Sequence, residues 1–133
     1  MSARLPYGQG IWPAFWLLGN NIRQVGWPAC GEIDIMEFIG REPNMIYGSL
    51  HAPSFDKTGG FWANDLSSNF HRYSVNWQPD RIEFYVDDHC YQTIWKGEAG
   101  GHWPFDNQFF ILLNLAVGGN WPGYPDGSTH FPQ

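Results

Sequence analysis

Charge is scarce in this chain. Only 15% of its 133 residues are charged, seven basic against thirteen acidic, and the net charge is −6. The basic residues form no cluster, so the chain lacks the electrostatic footprint that nucleic acid or an anionic membrane requires. Long apolar runs are missing as well, and nothing approaches the roughly 20 residues of a spanning helix. Cysteine is limited to Cys30 and Cys90. That excludes a disulfide-dense scaffold, and the missing C-x2-C spacing argues against structural zinc. Whether the two thiols pair stays open. The opening MSARLPYGQG has no apolar core of a signal peptide. The expectation is an extracellular, secreted protein whose signal lies outside this chain.

Aromatics and turn formers are plentiful. Aromatic residues make up 18% of the chain, with eight Trp, beside 16 Gly and 10 Pro. Frequent Gly and Pro disfavour long helices. An aromatic excess over charge suits either a sugar-binding surface or an aromatic-rich β core. Short apolar segments bounded by turns predict strands over 11–18, 32–39, 45–52, 71–77, 81–87, 90–95 and 108–117, with hairpins at Gln78-Pro79-Asp80 and Asp87-Asp88-His89. Seven strands and no convincing helix predict an all-β, antiparallel β-sandwich in one domain over 1–133. Residues 53–70 and 118–133 read as long loops, and a Trp in each favours a binding role. In 11–18, Ile11, Phe15 and Leu17 share one face and Trp12 and Trp16 the other. In 108–117, Phe109, Ile111, Leu113, Leu115 and Val117 share a face expected to be core, while Gln108 and Asn114 lie opposite.

The segment GEIDIMEF carries acids at Glu32, Asp34 and Glu37 among Ile33, Ile35, Met36 and Phe38. On a regular strand Glu32 and Asp34 share a face, but the third acid comes one residue late. A β-bulge near Ile35-Met36 restores it to that face. Three acids on one face raise one another's pKa. That is a handicap for stability and an asset for glycoside hydrolysis, which needs one ionised and one protonated carboxyl. The expected roles are Glu32 as nucleophile, Glu37 as general acid/base, and Asp34 as the group that orients Glu32 and helps keep Glu37 protonated. Activity is then expected to peak at mildly acidic pH. A hard-cation site is the alternative use of clustered carboxylates, and a solvated edge strand is disfavoured by the apolar flanks.

GEIDIMEFIG resembles the active-site strand of glycoside hydrolase family 16 in its bulged E-x-D-x-x-E form. YGQGIWPAFWLLG, GSLHAP, FHRYSVNWQPDRIEFYVDD and FFILLNLAVGGNWPG are similar, in the same order, to laminarinase-type members. The resemblance implies a concanavalin A-like jelly roll and retaining endo-hydrolysis of β-1,3-glucan or mixed β-1,3-1,4-glucan. A glucan-binding module without turnover, or a transglycosylase, would share the fold. It implies that His51 lies beside the acid/base, that Trp16 and Asn114 line the cleft, and that Trp121 reaches it from a loop. Trp12 joins them as a weaker substrate-binding candidate, with Trp27. No cofactor is needed for such chemistry, and no metal is assigned. The family's frequent calcium site draws on terminal segments outside this chain, so bound calcium is not predicted. Against the family pattern the chain resembles a partial domain. Strand pairing between copies, as a homo-oligomer or by strand exchange, is the expected compensation for uncovered edges.

Overall fold

Local alternation and turn chemistry set the elements, and the pairing of faces sets the layers. The computed structural model describes residues 1–133. The strands are β1 (Ser2–Ala3), β2 (Ile11–Gly19), β3 (Glu32–Phe38), β4 (Met45–Ala52), β5 (Phe55–Trp62), β6 (His71–Gln78), β7 (Arg81–Val86), β8 (His89–Trp95) and β9 (Phe109–Val117). They form two antiparallel sheets, ordered β1-β6-β7-β8 and β5-β4-β3-β2-β9. This is the expected all-β sandwich. Helical structure is confined to a single α-turn, Ile22–Val25, and two short 3-10 turns, Lys96–Ala99 and Pro104–Asp106.

The core lies between the sheets. Ile33, Met36, Phe38, Ile46 and Leu50 from the five-stranded sheet meet Tyr73, Ile82, Phe84, Val86 and Ile94 from the four-stranded one. All are buried at 2% exposure or less, and each such apolar side chain contributes about 1.5–3 kcal/mol. The β6–β7 hairpin turns at Gln78–Arg81, and the β7–β8 hairpin turns through Asp87 at φ 53°.

Three expectations need correction. Residues 53–70 are not all loop, because Phe55–Trp62 pairs along its whole length with β4 as an outer strand. Gly59 and Gly60 disguise its alternation. Gly59 faces the end of Gln92, whose amide would have to move to admit a Cβ, since its Oε1 lies 2.0 Å from that position. Second, Gln108 precedes β9 and is not part of it. Third, the apolar face of β9 is not core. Phe109 packs against the cluster, yet Ile111 is 64%, Leu113 63%, Leu115 44% and Val117 52% exposed. The four-stranded sheet sets β6 against β3 and β8 against β5. Trp77 of β6 packs edge-on against Phe109 at 5.2 Å, but beyond β6 the sheet offers only the two-residue β1, which leaves Ile111, Leu113, Leu115 and Val117 uncovered. The apolar face of β2 does behave as expected, with Ile11 and Leu17 buried.

Candidate active site

Strand register writes the site as rows across the outer face of the five-stranded sheet. One row runs Leu18, Glu32, His51, Asp56; the next runs Trp16, Asp34, Ser49, Thr58; the third runs Ala14, Glu37, Tyr47, Gly60. The bulge explains the late acid. Between Asp34 and Glu37 the strand has two residues where β4 has only Gly48, and the register shifts there on both sides of β3. Ile35 and Met36 are consecutive, and both enter the core cluster. Glu37 thereby returns to the face of Glu32 and Asp34, as the sequence spacing predicts. Gly48 makes the bulge possible from behind, since a Cβ there would lie 2.3 Å from Tyr91 Oη and 2.6 Å from Phe84 Cδ1.

Two adjoining hollows share Trp12 and the three acids. One, about 210 Å³, is completed by Ala14, Trp16, Asn114 and Ala116. The other, about 370 Å³, is completed by Ser49, His51, Thr58 and Trp121. Glu32, Asp34, Glu37, His51, Trp12, Trp16, Asn114 and Trp121 therefore line one cleft, with the acids at its middle, while Trp27 lines neither hollow. Trp16 Nε1 donates to Asn114 Oδ1 at 2.8 Å, tying the first hollow together. Trp121, from the irregular segment after β9, packs edge-on to Trp12 at 5.5 Å and tilted over Tyr47 at 5.2 Å. Tyr47 is held in turn by donating to Glu42 at 2.6 Å.

Electrostatics separate the acids. Asp34 and Glu37 are buried, and Glu32 is half-buried. Burial, then the charge of Asp34, pushes Glu32 up to about 7, against the favourable influence of His51 and Trp27. Burial and Asp34 likewise push Glu37 up to about 8, against Trp12 and His51. His51 rises to about 9, first through its contact with Asp34, against burial, and then through the charges of Asp34, Asp56 and Glu32. Its Nε2 lies 2.9 Å from Asp34 Oδ2 and its Nδ1 3.2 Å from Asp56 Oδ2. Neither approach is aligned as a hydrogen bond, so both are ion pairs. Donor atoms of Glu32, Asp34 and His51 lie within 4.8 Å of one another, a spacing open to a divalent ion. As they stand, His51 is engaged by Asp34, and the group behaves as a charge-compensated cluster.

Strand alternation does not reveal some of the participants. Asp56 and Thr58 lie on the strand that its glycines hide. Trp27 donates from Nε1 to Glu32 Oε2 at 2.7 Å across a loop that no periodicity describes. Trp12, expected to meet substrate, donates from Nε1 to Glu37 Oε1 at 3.1 Å. Cys30 is buried and Cys90 exposed, and both are free thiols.

The chain is similar to known proteins over nearly its whole length. The profile of glycosyl hydrolases family 16 matches residues 1–130. A glucan endo-1,3-beta-glucosidase of Cryptopygus antarcticus is 42% identical over 92% of this chain and 51% of its own length. The laminarinase catalytic domain of Thermotoga maritima superposes with a TM-score of 0.95 at 47% identity, over 98% of this chain and 57% of that one. The endo-beta-1,3-glucanase of Pyrococcus furiosus gives 0.94 at 48% identity, over 97% and 53%. The chain thus spans about half the length of these relatives.

Proposed function

The chain belongs to glycosyl hydrolase family 16, and we propose that it cleaves β-1,3-glucan, or mixed β-1,3-1,4-glucan, within the polymer and with retention of configuration. The observation that carries this reading is the bulged acid strand. It sets Glu32, Asp34 and Glu37 on the floor of one aromatic-lined cleft. In the first step Glu32 attacks the anomeric carbon while Glu37 gives its proton to the departing glycosidic oxygen. In the second, Glu37 takes a proton from water as that water displaces Glu32. Asp34 keeps negative charge beside both, and His51 offsets it. Trp16 with Asn114, and Trp121 with Tyr47, offer flat faces and polar edges to sugars on either side of the acids. The carboxylates supply the chemistry, so no cofactor is assigned. A sugar in place of the water would make the same centre a transglycosylase.

The raised values of Glu32 and Glu37 place the working window near neutral, between about 7 and about 8. Alternation alone suggests mild acidity, because it does not register how deeply the two acids are buried. The function belongs outside the cell, where glucan polymers are met. The uncovered face of β9, on an edge strand with unpaired backbone, is assigned to a second copy of the chain.

The test is reducing-sugar release from laminarin and from barley mixed-linkage glucan, with Glu32→Gln alongside. Release by the wild type and none by the variant, with oligosaccharide binding retained, is the expected result. Hydrolysis by Glu32→Gln at the wild-type rate removes Glu32 from the mechanism. Binding without release by the wild type leaves a glucan-binding module.

A further inference from the structure

Two indole N–H groups end on the two outer acids. Trp12 Nε1 donates to Glu37 Oε1 at 3.1 Å, and Trp27 Nε1 donates to Glu32 Oε2 at 2.7 Å. They come from different elements. Trp12 is on β2 and braced edge-on by Trp121. Trp27 is in the loop before β3 and tilted over His51 at 6.2 Å. An indole N–H can donate and never accept. An oxygen that receives it has one lone pair engaged there and is the poorer site for a proton or a new bond. Glu37 must alternate between acid and base, and a carboxyl that rotates freely could present either oxygen.

We infer that Trp12 and Trp27 are positioning residues that assign the oxygens of the two carboxyls, leaving Glu37 Oε2 to carry the catalytic proton and Glu32 Oε1 to attack. The inference rests on the carboxylate mechanism proposed above. In the first half-reaction Glu32 Oε1 bonds to the anomeric carbon as the glycosidic C–O bond breaks. The bonding pair leaves with the glycosidic oxygen, which takes the proton from Glu37 Oε2. In the second, Glu37 Oε2 takes a proton from water, the water oxygen bonds to the anomeric carbon, and the pair of the broken bond returns to Glu32 Oε1. Both indoles keep their hydrogen bonds throughout.

The groups facing each acid are known. Glu37 meets Asp34 and Glu32 from its own strand, Tyr47 and His51 from β4, and Trp12 and the uncharged Ala14 from β2. Glu32 meets Asp34, His51 with Asp56 behind it on β5, Leu18 of β2, and Trp27. Each N–H favours the ionised form of its own acid, so its loss has a definite sign at one acid only.

The experiment compares wild type, Trp12→Phe and Trp27→Phe. It records the pH profile of laminarin hydrolysis and titrates the glutamate carboxyls by carbon-13 NMR. Phenylalanine keeps an aromatic face and removes the N–H. For Trp12→Phe we expect the alkaline limb and the Glu37 titration to move up by roughly 1–2 pH units, what one hydrogen bond to a carboxylate is worth. The acid limb should stay in place, and kcat should fall about tenfold with KM within about twofold, because a carboxyl free to rotate is less often aligned in the bound complex. For Trp27→Phe the acid limb and the Glu32 titration should move up instead. If Trp12→Phe does not fold, benzothienylalanine at position 12 keeps the fused rings without the N–H. Limbs that stay fixed, or that move together in either variant, overturn the assignment. The titration needs no turnover. A wild type that releases no sugar therefore overturns the mechanism above, whereas unshifted carboxyls in active variants overturn this inference alone.

Discussion

Glu37→Gln should make the protein more stable, and increasingly so as pH rises. Glu37 is 9% exposed, and burial beside Asp34 raises it from 4.5 to about 8. A carboxyl whose folded pKa lies above its unfolded value binds its proton more tightly in the folded state. Its contribution is then most favourable below the unfolded pKa and is lost as pH climbs through the folded one. Between pH 4 and pH 8 the loss at this single group comes to about 4 kcal/mol at 1.36 kcal/mol per pH unit. Water at the open cleft screens part of it, so about 2 kcal/mol is expected to remain. Glutamine keeps the shape and abolishes the titration. Urea unfolding of wild type and variant at both pH values measures the effect. Matching stabilities at pH 4 and a more stable variant at pH 8 are expected. A variant that is less stable at pH 8, or a difference independent of pH, would refute the reasoning that this acid is held against its folding preference.

Gly48→Ala should cost about 1–3 kcal/mol, because its methyl must displace Phe84 and Tyr91 in a packed core. Thermal unfolding checks this, and Phe84→Leu in the same background should restore part of the loss; an unchanged Tm would show that the bulge has slack behind it. Sedimentation of the 133-residue chain at rising concentration should show self-association that Leu113→Lys reduces, since Leu113 is 63% exposed on the open face of β9. A strict monomer at high concentration would leave that face without a partner copy.

Much of the site is legible in the sequence because period-two alternation fixes faces without knowledge of distances. The E-x-D-x-x-E spacing places the bulge at Ile35-Met36, and the parity of Trp12, Trp16, Asn114 and His51 with the acids places them in one cleft. What alternation cannot convey lies on a different physical link. The burial of Ile111 and Leu113 depends on what the opposite sheet covers, and β9 itself carries no record of that. β5 is hidden because two glycines, one of them facing the end of Gln92, stand where strand formers would have marked it. The indole N–H bonds of Trp12 and Trp27 depend on side-chain direction, and Trp27 reaches Glu32 from a loop. The raised pKa of Glu32 and Glu37 comes first from burial, to which charge counting is blind.

The bulge joins the two sides of the sheet in one device. A regular strand would give its inner and outer faces equal shares of residues. By admitting Ile35 and Met36 together to the core, β3 gains apolar burial next to the acids whose burial opposes folding. Gly48 has no side chain to compete for that space, and Phe84 and Tyr91 close over it. The extra core side chain therefore helps to offset the acids, and the same extra residue turns Glu37 back to the cleft. Without the bulge, regular alternation from Asp34 would send Glu37 into the core and Met36 to the substrate face. Both folding and chemistry therefore select the same register, which is why three carboxylates can persist on a strand that is otherwise built for the interior.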